Sequence, residues 1–356
     1  MSTTTDQTSK IALTQYSKGA GCGCKIAPAV LSEILAQHSV GISTPKLLVG
    51  NDTKDDAAVY QIDDTNAFIS TTDFFLPIVD DPFQFGQIAA ANAISDVYAM
   101  GGNPLFALAV LGWPIDTIPV SAAQEVMAGA RSICAEAGIV MAGGHSIDSK
   151  DPIFGLVVNG IVAIENLKRN NSAEQGDILL LTKPLGVGIL ATAQKKGLIE
   201  TADLDLLVNQ LSTLNKVGAA LGKIKGVHAM TDVTGFGILG HLLEMMEGSQ
   251  LGAIIHYNQL PILDVARKYI AQKAIPDATY RNWNAYNKQV AFGTGVNVME
   301  AFQILPDPQT NGGLLIAVSP DALIQVQAIL KEAGIQYIDP IGICTESGEK
   351  RIQVNA

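Results

Sequence analysis

The sequence predicts an α+β protein: two mixed α/β halves behind a glycine- and cysteine-rich N-terminal segment. Strand and helix patterns intermingle along the 356 residues without the steady alternation of a doubly wound sheet. Hydrophobic residues make up 48% and charged residues 16%, enough apolar material for two cores. One polar run, Lys168–Gly176, interrupts the pattern. It divides the chain into residues 1–27, which read as mobile, a first half over 28–168 and a second over 169–356.

The elements follow in order. Pro28 opens a helical pattern with Val30, Leu31, Ile34 and Leu35 on one face. Leu47–Val49 is a short strand, and Ala57–Ile62 and Ala67–Thr72 pair across the turn Asp63-Asp64-Thr65-Asn66. Phe83–Met100 is an alanine-rich helix stopped by two glycines. Strand Leu105–Leu111, helix Val120–Ala137, strand Ile139–Ala142 and strand Ile153–Ile164 complete the first half. The second half reads as strand Ile178–Thr182, helices Val187–Lys196 and Leu204–Leu221, strand Val227–Met230 and helix Phe236–Met246. Strands Ala253–Tyr257 and Leu314–Val318, a helix after Pro320 and strand Ile341–Cys344 follow.

Charge narrows the function. A net charge of −11 disfavours nucleic acid and anionic membranes, but permits a polyphosphate screened by metal ions. The polar start lacks the apolar stretch of a secretory leader, and no apolar run is long enough to span a bilayer, so the expectation is a cytoplasmic protein. The four cysteines are then free thiols. Cys134 and Cys344 fall within a helix and at a strand end, as small core residues. No second Cys/His pair completes a zinc set.

Chemistry concentrates in a few motifs. Gly19-Ala20-Gly21-Cys22-Gly23-Cys24-Lys25 puts a thiol three positions from an ammonium, which favours the reactive thiolate; the plainer reading is a tail with incidental cysteines. Asp52, Asp55 and Asp56 crowd the approach to a strand, as a solvated turn or a hard-cation site. Asp73 near the end of an apolar strand is costly to bury unless paired or metal-bound. Asn92 and Asp96 share a helix face, toward either solvent or a polar site. Met230-Thr231-Asp232-Val233-Thr234-Gly235-Phe236-Gly237 joins a strand to a helix whose start, capped by Thr234, suits an anion. Gly143-Gly144-His145-Ser146 offers close approach and donors, while Asp307–Gly313 by itself is a turn. The other histidines, His38, His228, His241 and His256, read as structural or surface residues. P-loop and protein-kinase signatures are absent.

Together these segments resemble the selenophosphate synthetase (selenide, water dikinase) family over essentially the whole chain. The Asp-Asp-Ala-Ala, Thr-Gly-Phe-Gly and Asp-Pro-Gln-Thr features are similar to the wider aminoimidazole ribonucleotide synthetase superfamily, and Gly-Cys-Gly-Cys-Lys to the narrower family. The resemblance implies a two-domain fold of that type and an ATP-consuming reaction in which selenide, ATP and water give selenophosphate, AMP and phosphate. It implies that Cys22 and Lys25 are catalytic. Thr53, Lys54, Asp55 and Asp73 match nucleotide contacts, and Asp56, Asp96 and Asp232 match Mg²⁺ ligands, Asp96 also lying near the nucleotide. Gly144, His145 and Ser146 match a segment that completes the nucleotide site from the partner of a homodimer. The family pattern leaves room for a monovalent cation such as K⁺ and for a selenium-delivery protein. Asn311 departs from it, since relatives commonly carry Ser there. Two other readings remain. One is a sibling such as thiamine monophosphate kinase, which would use the aspartates without the cysteines; the other is a non-catalytic sensor that binds ATP without turnover.

Overall fold

The computed structural model describes residues 11–17, 19–21, 23, 25–26, 30, 33–34, 44–50 and 55–356. Cys22, Cys24, Thr53 and Lys54 lie outside the described residues, as does most of the helix expected after Pro28.

The first half runs β1 (Leu47–Val49), β2 (Ala58–Gln61), β3 (Asn66–Phe75), α1 (Pro82–Ala99), β4 (Asn103–Trp113), α2 (Val120–Glu136), β5 (Val140–Asp148) and β6 (Ile153–Ala163). The strands form a six-stranded sheet in the order β1-β2-β3-β6-β4-β5. Asp63 nucleates the β2–β3 hairpin by accepting from the Thr65 and Asn66 amides, both at 2.8 Å. β3 then pairs with β6 without a break, from Asn66 opposite Ala163 to Phe75 opposite Phe154. Asp81 caps α1 by accepting from the Gln84 amide at 2.9 Å, and Pro82 supplies the first turn. The small side chains of α1 let it sink between the sheet, α2 and the second half, so it is buried almost from end to end.

The second half runs β7 (Ile178–Leu181), α3 (Val187–Lys195), α4 (Thr201–Ser212), α5 (Val217–Leu221), β8 (Val227–Asp232), α6 (Gly237–Gly248), β9 (Leu251–His256), α7 (Asp264–Ala271) and α8 (Asp277–Tyr286). β10 (Val290–Phe292), α9 (Val298–Ile304), β11 (Leu314–Val318), α10 (Leu323–Glu332), β12 (Gly342–Glu346) and β13 (Ile352–Asn355) complete it. Its sheet is seven-stranded, in the order β10-β13-β9-β12-β7-β11-β8. β11, buried at all five positions, lies between β7 and β8.

The differences from the sequence reading have physical causes. The single helix expected over Leu204–Leu221 is two, α4 and α5. The carbonyls of Leu211 and Thr213 are taken by the Asn311 side chain, and Asn215 bonds Ser95 and the Gly312 carbonyl, so tertiary contacts interrupt the helical ladder. α7, α8, β10, α9 and β13 had no counterpart in that reading. The start of the chain, expected to be mobile, is docked in part: Leu13 is fully buried, its amide donates to the Asp80 carbonyl at 3.2 Å, and Thr14 bonds the Asp80 carboxylate. Among the described residues no helix is long and apolar enough to cross a membrane. Cys134 and Cys344 are free and buried, as expected.

Candidate active site

Four carboxylates from both halves share one electrostatic neighbourhood. Asp56 stands just before β2, Asp73 near the end of β3, Asp96 on the buried face of α1 and Asp232 at the end of β8. Asp96 is inside the fold and does not face solvent. Hydroxyls orient three of them. Thr231 Oγ1 donates to Asp56 Oδ1 at 2.8 Å, Thr71 donates to Asp96, and Ser95 donates to Asp232. Asp56 Oδ2 and Asp232 Oδ2 are nonetheless sealed from solvent with no hydrogen-bond partner among the described residues. Asp56 as a residue is only half-buried, but this oxygen points inward.

The electrostatics are unfavourable as they stand. Burial, then the field of Asp232, raises the carboxyls of Asp56 and Asp96 well above the usual range. Asp232 is pushed up to about 6, chiefly by burial, against the Ser95 hydrogen bond and the attraction of Lys25 and Lys183. Buried like charges of this kind persist where a cation answers them. Among the described residues no three acidic, histidine or cysteine side chains form a finished metal cage. A cage is not required for Mg²⁺, which keeps waters and substrate phosphates and takes one or two carboxylates per ion. All-oxygen donors with orphaned, inward-facing atoms therefore fit a hard divalent cation.

Two lysines border the carboxylates. Lys25 Nζ lies 3.6 Å from Asp73 Oδ1, so the N-terminal segment reaches the pocket. Gly21 fixes that approach: its φ of +49° suits glycine, and a Cβ would meet Thr310 Oγ1 at 2.6 Å. Lys183, which the sequence reading missed, is buried. Its Nζ donates to the carbonyls of Thr213 (2.7 Å) and Asn311 (2.9 Å), and burial lowers its pKa to about 7. A lysine two residues after a run of leucines is the signal that was available.

Asn311 joins the halves. Its amide donates to Asn92 Oδ1 at 2.7 Å, and the Asn92 side chain in turn bonds Asp73. Asn92 and Asp96 thus form the shared polar face expected of their spacing. Asp55 Oδ1 accepts from the Asn170 amide at 2.7 Å, a second tie across the halves. Asp307 is no plain turn residue. Fully buried, it accepts from the Gly188 amide at 3.0 Å and from Gln309, and burial pushes its carboxyl up to about 8.

One expectation changes. Thr234 does not cap α6 through its side chain; its amide donates to His241 Nε2 at 3.1 Å, because the chain turns at Phe236 and folds the motif back onto the helix. His241 is accordingly a buried structural histidine, held neutral by burial, which lowers its pKa to about 3. Gly144, His145 and Ser146 are not brought to the aspartates of their own chain. They lie exposed on edge strand β5, three strands from β3, about 14 Å at ordinary inter-strand spacing. A Cβ at Gly144 would stand 2.2 Å from the Ala109 carbonyl, so glycine lets β5 close on β4 there.

The fold and this pocket define an AIR synthase related protein. The family model for the N-terminal domain matches residues 54–162, and that for the C-terminal domain matches residues 174–355. The chain is 53% identical to a selenide, water dikinase of Aeromonas salmonicida over 94% of its own length and 95% of the relative's. It is 53% identical to that of Yersinia pseudotuberculosis (96% and 97%) and 52% identical to that of Pseudomonas aeruginosa (97% and 98%). Solved structures with this fold include a thiamine-monophosphate kinase from Stenotrophomonas maltophilia (TM-score 0.65, 17% identity, 93% of this chain and 96% of that one). Another is the hydrogenase maturation protein HypE in complex with ATP (TM-score 0.63, 18% identity, 97% and 95%). The chain belongs to the selenide, water dikinase family, whose reaction makes selenophosphate from selenide, ATP and water.

Proposed function

We propose that the chain performs this reaction in the pocket between its halves, with Asp56, Asp96 and Asp232 holding Mg²⁺ and Asp55 and Asp73 lying beside the nucleotide. The observation that carries the reading is the convergence of sealed, like-charged carboxylates from both halves next to Lys25. Bound Mg²⁺ would supply the charge that lets a triphosphate enter an acidic pocket and would offset charge developing on the transferred phosphoryl group.

The protein's own groups do the rest. Lys25, oriented by Asp73, neutralises a phosphate oxygen. Cys22, three residues earlier in sequence, presents a soft sulfur suited to selenium. Thr53 and Lys54 are nucleotide contacts on the same resemblance. Per turnover two phosphoanhydride bonds break; one phosphoryl group ends on selenium and the other on water, leaving AMP. Lys183 and Asn311 hold Asn92 and, through it, Asp73 in place.

The family match supports a homodimer in which Gly144, His145 and Ser146 of one copy complete the nucleotide site of the other; their distance from their own aspartates supports the same arrangement. Selenide and a free reactive thiol both require a reducing compartment, which points to the cytoplasm. The reading leaves K⁺ and a selenium-delivery protein open as further partners.

Phosphorus NMR of the protein with ATP, Mg²⁺ and selenide, kept anaerobic, tests the function. Selenophosphate, AMP and phosphate are expected to grow together; ADP as the end product, or turnover indifferent to selenide, overturns it. Cys22→Ser is expected to abolish selenophosphate while sparing Mg-ATP affinity, and normal selenide-dependent turnover in that variant removes Cys22 from the mechanism.

A further inference from the structure

A cavity of about 530 Å³ lies against the N-terminal segment on the side of the second half. Gly19, Ala20 and Gly23 form one wall; Lys195 and Lys196 at the end of α3 and Arg281 on α8 face them. Asp277 is the one acid among the described lining residues, so there three cations face a single carboxylate in a chain of net charge −11. The remaining wall is largely apolar, from Leu76, Ile78, Ala191 and Pro308.

The cations are only partly spent. Lys195 Nζ donates to the carbonyls of Ser17 (2.8 Å) and Gly19 (3.2 Å), leaving one of three donors. Among the described residues Lys196 donates once, to the Lys273 carbonyl at 2.7 Å, and Arg281 once, to the Gly23 carbonyl at 2.9 Å. Carbonyls neutralise no charge, and none of the three makes an ion pair among the described residues. Positive charge with donors to spare, fixed along an apolar wall, suits a small anion. A weakly hydrated monoanion gains most there, because the apolar side offers a doubly charged, strongly hydrated oxyanion nothing in place of its water.

We propose that this cavity is a small-anion site, held by Lys195, Lys196 and Arg281, that receives hydroselenide apart from the acidic nucleotide pocket. The assignment to hydroselenide rests on the selenophosphate reading; the anion site itself does not. Two routes separate the substrates by charge. The nucleotide enters with its metal among the aspartates, where a bare anion is repelled, and the chalcogenide enters among cations.

Calorimetric titration of the nucleotide-free protein with sodium hydrosulfide under argon, and separately with inorganic phosphate, tests the site without turnover. Hydrosulfide is expected to bind, with its Kd raised about tenfold in Lys195→Gln/Arg281→Gln and restored toward wild type in Lys195→Arg/Arg281→Lys. Phosphate binding alone overturns the hydroselenide assignment, and binding of neither probe overturns the site. In steady state the Gln pair is expected to raise KM for selenide about tenfold while leaving KM for ATP unchanged. A fall in kcat with unchanged selenide KM reveals a purely structural hold on the segment and overturns the proposal. If the wild-type protein makes no selenophosphate, the functional reading fails, and the hydrosulfide titration still decides the site.

Discussion

The two sheets are finished to different degrees. The seven-stranded sheet of the second half is complete in itself, with β11 buried at every position. The six-stranded sheet of the first half covers one face with α1 and α2 and leaves the other in part to water. Tyr60, Phe74 and Leu105 are exposed, and edge strand β5 is exposed at nearly every residue, with Val140 at 66% and Ile147 at 58%. An open apolar edge of this length invites another strand. The contrast teaches where each half spends its stability. Both halves contribute orphaned carboxylates, Asp56 from the first and Asp232 from the second, but only the first carries an open edge.

The largest effect should come from the carboxylates. Asp232→Asn or Asp56→Asn is expected to lower selenophosphate formation by about 10³-fold, because it removes a charge that holds the metal and so weakens the metal's answer to the triphosphate. In the metal-free protein the same substitution is expected to raise the melting temperature, since it deletes a buried like charge. Reduced activity accompanied by reduced stability would make Asp232 an ordinary core residue, and an unchanged Mg²⁺ titration curve would exclude it as a ligand.

The open edge is tested next. His145→Ala and Asp232→Asn are each expected to be nearly inactive. Mixed after co-refolding, they should recover about a quarter of wild-type activity, because half of randomly assorted dimers are mixed and each of those holds one intact site. No recovery would mean that β5 serves its own chain or none, and the comparison between finished and unfinished sheets would lose its functional meaning.

A smaller effect is read in the pH dependence of the pocket that the halves share. The carboxyl of Asp232 is raised to about 6 in the folded metal-free protein, above its unfolded value. Its contribution to stability is therefore complete at pH below about 4 and is lost as pH rises through about 6. The metal-free wild type is expected to melt at lower temperature at pH 7.5 than at pH 5.5, with Asp232→Asn narrowing the gap and Mg-ATP closing it. An identical pH slope in wild type and variant would show that the pocket stores no such cost.

Much of this was legible in the sequence, for reasons tied to particular residues. The β2–β3 hairpin, α1 and β11 declared themselves through period and turn chemistry, Asp96 through a carboxylate set among apolar neighbours, Asp56 through an acidic run before a strand, and Asp232 through the glycine-rich turn that follows it. Lys183 and His241 did not, because nothing local distinguishes a buried lysine or imidazole from an exposed one; their partners lie on other elements. The break between α4 and α5 was hidden for the same reason. Residues 204–221 read as a continuous helix until Asn311, about a hundred positions away, takes two of its carbonyls.

That asparagine gives the smallest prediction and the sharpest link between the halves. Asn311 has φ of +46°, a conformation asparagine tolerates better than most residues. Its side chain donates to Leu211 (2.6 Å) and Thr213 (2.8 Å), while its amide holds Asn92. Asn311→Ser keeps the amide bond to Asn92 and loses the two side-chain donations, so it is expected to cost about 1–2 kcal/mol of stability with kcat nearly unchanged. Asn92→Leu leaves the α4–α5 junction intact but strips Asp73 of its amide donor, leaving Lys25 beside it, and is expected to lower kcat more than stability. If the two variants lose activity and stability in the same proportion, Asn311 and Asn92 merely pack the interface. If they split, the finished half holds the catalytic edge of the unfinished one through this pair.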